Sequence, residues 1–359
     1  MITTPAHPRI RSSVLVFQRE DLLQFVSLSD LRVKEFRVTE VVITLVTLLD
    51  GTHSIEDIHA QCSSIPGYHP VSVDEYLQRL HTEHLLNRAE PWNGHPRYSR
   101  QAVFFEELIA SYNELPASSE QLQERLRRAG VLVVGIGGVG SWVVQSLALT
   151  GVGRLDIVDP DLIEISNLNR QALYTTADVG KPKITVAAQT VSDLNDDVVV
   201  RGHSRRVSTT ADLQDLLEGC DLVVSCGDDP DPFTLSDVVA QSAHTVGIPH
   251  IVGGAYGGNL GSPGTTVIPG MTVCWKCIRE ATRDDHGRLS MTVLKGRSQT
   301  SGSIASVAGI VGNIIAWEAM RVLLGVPPAL TNQIRELDLM SLEWRTRTMT
   351  SQPSCEICH

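Results

Sequence analysis

The sequence has no excess of positive charge. Its 359 residues hold 30 Lys+Arg against 41 Asp+Glu, a formal net charge of −11. Bulk nucleic-acid binding needs a basic footprint and is disfavoured. A phosphate ligand would need magnesium or a local basic pocket. Cysteine is scarce, with seven residues, too few for a disulfide scaffold. Long charge-free apolar runs are missing too. The most apolar stretch, residues 304–324, contains Asn313, Glu318 and Arg321, so it does not read as a membrane span. The opening MITTPAHPRIRSS lacks the basic-then-apolar pattern of a secretory signal. There is no internal repeat and no G-x-x-x-x-G-K-[ST] loop, which excludes a Walker-type phosphate site. What is present is 42% hydrophobic and 20% charged, enough for packed cores and too apolar for wholesale disorder. A soluble, cytoplasmic protein of two domains is expected at this length.

Residues 1–90 read as a small α+β module. Residues 14–17 and 22–28 are β-rich and separated by Gln18-Arg19-Glu20-Asp21, which predicts a hairpin. Val38, Val41, Val42, Leu45, Leu48 and Leu49 then recur at helical spacing, with Gly51 where a helix would end. Ser54 with Asp57, and Ser72 with Glu75, predict capping boxes that open two further helices. A hairpin and three helices have the shape of a winged helix-turn-helix. Eight Lys/Arg against twelve Asp/Glu in this stretch are unfavourable for a phosphate backbone. Pro91, Gly94 and Pro96 mark a linker at residues 91–99.

Residues 100–359 change texture. Residues 104–110 and 119–129 read as helices. Short apolar strands at 131–134, 154–159, 221–225 and 250–253 alternate with a helix at 141–149 and other segments. That alternation predicts an α/β domain with a doubly wound, Rossmann-like parallel sheet. Residues 281–303 are polar and read as a mobile loop, 304–324 as a long helix, and 332–342 as a late strand.

Gly135-Ile136-Gly137-Gly138-Val139-Gly140 fits G-x-G-x-x-G between a strand and a helix. Such glycines let backbone N–H groups approach a phosphate at the helix N-terminus. Asp159 follows 24 residues after Gly135, at the end of the next strand, where an acid bonds ribose hydroxyls. The pattern alone does not separate NAD from ATP, and it also fits a tight βα turn without ligand. Asp161, Asn167, Arg170, Gln171, Lys183 and Asp228 then fall near ends of successive strands. Arg and Lys neutralise charge building on a triphosphate and a carboxylate holds magnesium, so the set suits nucleotidyl transfer better than hydride transfer.

These residues resemble the ubiquitin-activating-enzyme-like adenylyltransferases, the ThiF/MoeB/HesA type, over roughly residues 97–359. The resemblance lies in residues 135–140, 159–171 and 180–183. It implies ATP and Mg2+ as ligands, with Asp159 on the ribose and Asp228 on magnesium. It places Asn167 and Arg170 on the phosphates and Lys183 at the transferring phosphoryl. Arg97-Tyr-Ser-Arg100-Gln is similar to an early element of the family, which implies a homodimer with Arg100 acting in trans. Members that form a thioester carry a cysteine in the loop matching residues 281–303; this chain has none there, so covalent capture is not expected.

Cys274-Trp-Lys-Cys277 and Cys355-Glu-Ile-Cys358 are two C-x-x-C pairs. Four thiolates make a closed structural zinc (Zn2+) site. Cys277 and Cys355 are 78 positions apart, so a small zinc ribbon is not implied by spacing, and a redox pair or separate thiols remain open by spacing alone. The resemblance favours zinc. Cys62, Cys220 and Cys226 read as packed small apolar residues.

The N-terminal module is similar in pattern to the PqqD-like domains of peptide-modifying enzymes. It shares the hairpin, the run L-x-D-G-x-x-S-x-x-D-I over residues 48–58, and V-x-x-Y-L-x-x-L over residues 73–80. Such domains take a leader peptide as an added strand. Module and adenylation domain together resemble the family of microcin C-type peptide-adenylating enzymes. The expected partner is a ribosomally made precursor peptide, with no nucleic acid and no membrane. The alternatives are adenylation of a sulfur-carrier protein's C-terminal glycine, a non-catalytic peptide-docking protein, and packing or dimerisation as the module's only role.

Overall fold

The computed structural model describes residues 6–29, 31–87, 92–112, 115, 118–287 and 302–358. The chain divides into two compact units, Met1–Glu124 and Arg125–His359. The expected linker at 91–99 falls inside the first of them.

The first unit opens with β1 (Val14–Arg19), β2 (Leu22–Ser27) and β3 (Val33–Arg37), an antiparallel sheet in that order. The sequence predicted only a hairpin. Its third strand, VKEFR, places just two apolar residues among three charged ones and gives too weak an alternation to notice. Glu20 takes a left-handed φ of 54° at the tight β1–β2 turn. Leu23 and Phe25 point from β2 into the core, where they meet α1 (Glu40–Leu48), α2 (Ile55–Cys62) and α3 (Pro70–Thr82). The capping box of α2 is present: the Asp57 N–H donates to Ser54 Oγ and the Ser54 N–H to the Asp57 carboxylate. The second expected box is not. α3 begins three residues earlier, capped at His69 with Pro70 in its first turn, where the missing N–H costs nothing, so Ser72 and Glu75 lie inside the helix. Cys62 is fully buried in this core. α4 (Ser99–Ser111) belongs to the same unit, tied by Arg9 to Glu106 and by Arg11 to Glu107. α5 (Ser119–Arg128) follows.

The second unit is built on β4 (Gly130–Val134), α6 (Gly138–Leu149), β5 (Arg154–Val158), α7 (Lys183–Leu194), β6 (Val199–His203), β7 (Leu222–Ser225), α8 (Pro232–Thr245) and β8 (His250–Val252). β4, β7 and β8 are buried along their whole length, as strands covered on both faces must be. A small sheet follows with β9 (Ala255–Gly257) and β10 (Leu260–Ser262), then β11 (Thr265–Val267), α9 (Trp275–Gly287), α10 (Ala305–Leu324), β12 (Gln333–Asp338) and β13 (Glu343–Thr348). The large sheet has the order β11-β8-β7-β4-β5-β6, parallel except for the edge strand β11. The second sheet, β13-β12-β10-β9, is antiparallel. The chain winds from β4 outward to β6, then returns to β7 on the other side of β4. The strand order reverses between β4 and β7, and ligands of such sheets bind at that reversal.

One expectation needs correction here and another holds. Residues 281–287 are the last turns of α9, not loop; residues 288–301 lie outside the described residues. α10 is, among the described residues, the one helix long and apolar enough to cross a membrane. Its small residues face α6 instead: a Cβ on Gly312 would lie 2.7 Å from Trp142 Cβ. It is a core helix, as its polar residues implied.

Candidate nucleotide site and cysteine cage

The loop between β4 and α6 sits at the strand reversal. Gly135 has φ +85°, and a Cβ there would come within 2.4 Å of the Gly227 Cα. A Cβ on Gly140 would lie 1.9 Å from Gly135 O. These two glycines are demanded by the protein's own packing. Gly137 is different: a Cβ there would meet only Gln171 Nε2, at 3.8 Å. Its small size leaves room for something other than protein. Gln171 is buried beside it, and its Oε1 has no hydrogen-bond partner. A buried acceptor without a partner is costly unless a ligand or water completes it.

Asp159 closes the other side. Its carboxylate is buried and accepts the N–H of Ile136 at 2.9 Å and that of Asp161 at 2.9 Å. Burial raises its pKa above the ordinary carboxylate range; the nearby Lys183 ammonium works against that. Lys183 Nζ lies 3.7 Å from Asp159 and 2.8 Å from Asp161. The Tyr174 hydroxyl donates to Ile136 O at 3.0 Å, and burial pushes this phenol up. Asn167 is buried, with its side-chain carbonyl accepting the Glu164 N–H at 3.0 Å. The Arg170 guanidinium donates to Ser166 O at 2.8 Å and to Asn169 Oδ1 at 3.1 Å. The Trp142 indole N–H holds the Arg170 carbonyl at 3.0 Å.

Gly135, Asp159, Asp161, Asp228, Asp229 and Arg206 line one cleft. Asp228 is exposed at the end of β7, and Asp229 pairs with Arg206 at 2.5 Å. Gly138, Gly140, Asn167, Arg170, Gln171 and Lys183 are brought to the same strand ends. Arg100 is exposed in the first turn of α4, in the first unit. Sequence reasoning missed Trp142, Tyr174, Arg206 and Tyr256. None belongs to a spaced motif; each is recognised only once the fold brings it to the site.

The four paired cysteines converge at the start of α9 and the chain's end. Their Sγ atoms all lie within 4.8 Å of one another. Cys274 and Cys355 are 3.6 Å apart, Cys277 and Cys358 3.8 Å. A tetrahedral ion with metal–sulfur bonds near 2.3 Å sets its sulfurs about 3.8 Å apart, whereas a disulfide needs about 2.05 Å. Backbone N–H groups of Cys274 and Gln352 donate to Cys358 and Cys277, each at 3.3 Å. The donor set and spacing fit zinc and do not fit a redox disulfide. Cys226 is no spare nucleophile, because burial pushes its thiol up to about 12.

A glycine cradle, an acid at the next strand end and a basic pair beside it define a nucleotide-binding adenylation fold. The sequence comparisons agree. Residues 110–357 match the ThiF family model. The sulfur carrier protein adenylyltransferase of Thermus thermophilus is 33% identical over 73% of this chain and 90% of its own length. The SAMP-activating enzyme E1 of Haloferax volcanii is 34% identical over 66% and 82%. Among solved structures, Escherichia coli MccB with AMPCPP and MccA superposes with a TM-score of 0.76 at 20% identity, covering 98% of this chain and 99% of that one. The chain belongs to the ThiF family, and it is an ATP-dependent adenylating enzyme.

Proposed function

We propose that this enzyme converts a carboxylate of a ribosomally made precursor peptide into an acyl-adenylate, and that residues 1–90 capture the peptide. One observation carries the reading: the extent of the matches. The Thermus relative fills 90% of its own length with 73% of this chain. MccB, described in one structure as a microcin C7 biosynthetic enzyme in complex with N-formylated MccA, is matched over 98% of this chain. The quarter of this chain outside the Thermus match is long enough to hold the N-terminal module.

The module has a surface suited to a peptide. In the sheet β1-β2-β3 the β2 side of the hairpin is covered by β3, and β1 and β3 are the outer edges. Among the described residues β3 pairs only with β2, so its outer edge offers unpaired N–H and C=O groups. Beside it lies an apolar groove lined by Phe36, Val42, Val46, Tyr76 and Leu80. The Arg79 guanidinium stands 5.1 Å over the Phe36 ring. An extended peptide gains main-chain hydrogen bonds from such an edge and side-chain specificity from the groove.

In the reaction, a carboxylate oxygen attacks the α-phosphorus of ATP. The new O–P bond forms as the bond to the bridging α,β-oxygen breaks, and pyrophosphate leaves. Asp159 accepts from the ribose hydroxyls, while the first N–H groups of α6 and Asn167 orient phosphate oxygens. Arg170, Lys183 and, from a second protomer, Arg100 offset charge on the triphosphate. Asp228 would hold magnesium, which supplies further neutralisation when bound. The four cysteines would hold a structural zinc remote from these steps. The adenylate is then attacked by a nitrogen or carbon nucleophile, giving a modified or cyclised peptide.

The second reading is adenylation of the C-terminal glycine of a ubiquitin-like sulfur carrier, favoured by the sulfur-carrier and molybdopterin-synthase adenylyltransferases among this chain's sequence relatives. Pyrophosphate exchange separates the two. A short peptide encoded beside the gene should stimulate Mg·ATP–pyrophosphate exchange and gain an AMP-dependent mass change. Phe36→Asp should remove the peptide's effect. Exchange supported by a Gly-Gly-ending carrier and not by the peptide would establish the second reading instead.

A further inference from the structure

The glycine loop has a neighbour outside every motif. Tyr256 reaches from β9, in the antiparallel sheet, and its hydroxyl lies 2.6 Å from where a Cβ on Gly138 would be. Gly138 is the first residue of α6. The Arg170 Cδ and Nε stand 3.5 Å from the same point. The hydroxyl and the guanidinium stem therefore flank one small opening over the helix N-terminus. The Gln171 side chain, whose Oε1 has no hydrogen-bond partner, brings its Nε2 to 3.8 Å from where a Cβ on the adjoining Gly137 would be.

The hydroxyl is itself held. Tyr256 Oη and Ser303 Oγ are 2.5 Å apart. The Ser303 carbonyl accepts from Asn169 Nδ2 at 3.1 Å, and Asn169 Oδ1 accepts from Arg170 at 3.1 Å. A chain of four residues thus links Tyr256 to the guanidinium expected on the phosphates. When Ser303 donates to Tyr256, the Tyr256 O–H proton is left to point elsewhere. A hydroxyl has one proton and two acceptor sites, so this arrangement orients a single donor.

The geometry points to Tyr256 as a further ligand of the nucleotide's polyphosphate, its hydroxyl donating to a phosphate oxygen beside Arg170. This rests on the reading of the cleft as the ATP site. A neutral donor adds a hydrogen bond to an anion without adding charge, and such charge-assisted bonds are the strong ones. It also ties recognition of the phosphates to Ser303, the residue that precedes α10 by two positions.

Calorimetric titration of the purified chain with Mg·AMPCPP and, separately, with adenosine tests the assignment. AMPCPP cannot be cleaved between its α- and β-phosphates, so binding is read without turnover. Tyr256→Phe keeps the ring and removes the donor. It should weaken AMPCPP binding about tenfold to a hundredfold and leave adenosine affinity within about twofold, with an unchanged melting temperature. Ser303→Ala should give a smaller loss of the same kind. Unchanged AMPCPP affinity in Tyr256→Phe would overturn the proposal. Equal losses for AMPCPP and adenosine would overturn it too, since that pattern marks a merely structural hydroxyl. A wild-type chain that binds neither ligand would overturn the nucleotide reading itself, and the proposal with it.

Discussion

Removing the metal expected in the cysteine cage should uncouple two distant segments of the second unit. Cys274 and Cys277 open α9, while Cys355 and Cys358 lie 78 to 84 positions further on. Cys274, Cys277 and Cys355 are buried. Four thiols from these two segments converge within 4.8 Å of one another, the spacing of a tetrahedral thiolate site, so a bound cation would tie the segments together. With free zinc about a thousandfold above its dissociation constant, binding contributes about 4 kcal/mol of stability. For a unit of this size that corresponds to a melting shift of about 8–16 °C. The assay has three parts. Metal analysis of protein purified without added zinc should give one equivalent per chain. Cobalt substitution should give a tetrahedral thiolate spectrum. Chelation, or Cys355→Ser, should lower the melting temperature by that amount. Less than half an equivalent of metal in fully reduced protein, with a melting point indifferent to chelator, would refute the reasoning.

Asp159→Asn should weaken nucleotide binding about tenfold to a hundredfold, because the amide cannot accept both backbone N–H groups and loses the Lys183 ion pair. In the wild type, binding that needs this carboxylate ionised should fade on acidification at a higher pH than an ordinary aspartate would give, since its pKa is raised by burial; titrations across pH read both. Asp228→Ala should abolish substrate-dependent pyrophosphate exchange while leaving adenosine binding intact. His250, buried on β8, has its pKa lowered from 6.5 to about 4, chiefly by burial. The unfolded chain then binds the extra proton between those values, so stability is complete above pH 6.5 and falls by about 3 kcal/mol on acidification to pH 4. Urea melts across that window should show the slope, and His250→Gln should flatten it.

How much of this was legible in the sequence follows from which residues act locally. The glycine loop and the acid at the next strand end are set by near neighbours in sequence and appear in the structure at strand ends, whereas the meeting of two cysteine pairs 78 positions apart followed from resemblance and not from spacing. The Ser54–Asp57 capping box is local in the same sense. β3 was illegible because a five-residue edge strand with three charges has no apolar run. The first capping residue of α3 was misplaced because Pro70 opens the helix without a side-chain cap, and Ser72 with Glu75 imitates one. Tyr256, Trp142 and Arg206 were invisible because their roles come from strand order and packing. No spacing rule connects Trp142 to the carbonyl of Arg170.

The first unit offers a test of where the chain can be cut. Glu106 on α4 is buried, accepts from Asn87 Nδ2 at 2.9 Å and pairs with Arg9. Burial raises its pKa, and Arg9 works against that. Glu107 beside it accepts from Arg11 and from Ser13 Oγ. A dissection at residues 91–99 would remove Arg9, Arg11, Ser13 and Asn87 together and leave two carboxylates of α4 without their partners. Loss of one partner of a buried pair costs about 3–5 kcal/mol. The Arg9 side chain is 30% exposed, so Arg9→Ala belongs at the low end. Glu106→Gln on the Arg9→Ala background should recover part of that loss, because the neutral amide no longer needs the cation and still accepts from Asn87. Urea unfolding of the two single variants and the double variant gives the coupling. If the double variant loses the full sum of the single losses, the ion pair contributes nothing, and the boundary at 91–99 becomes a place to cut.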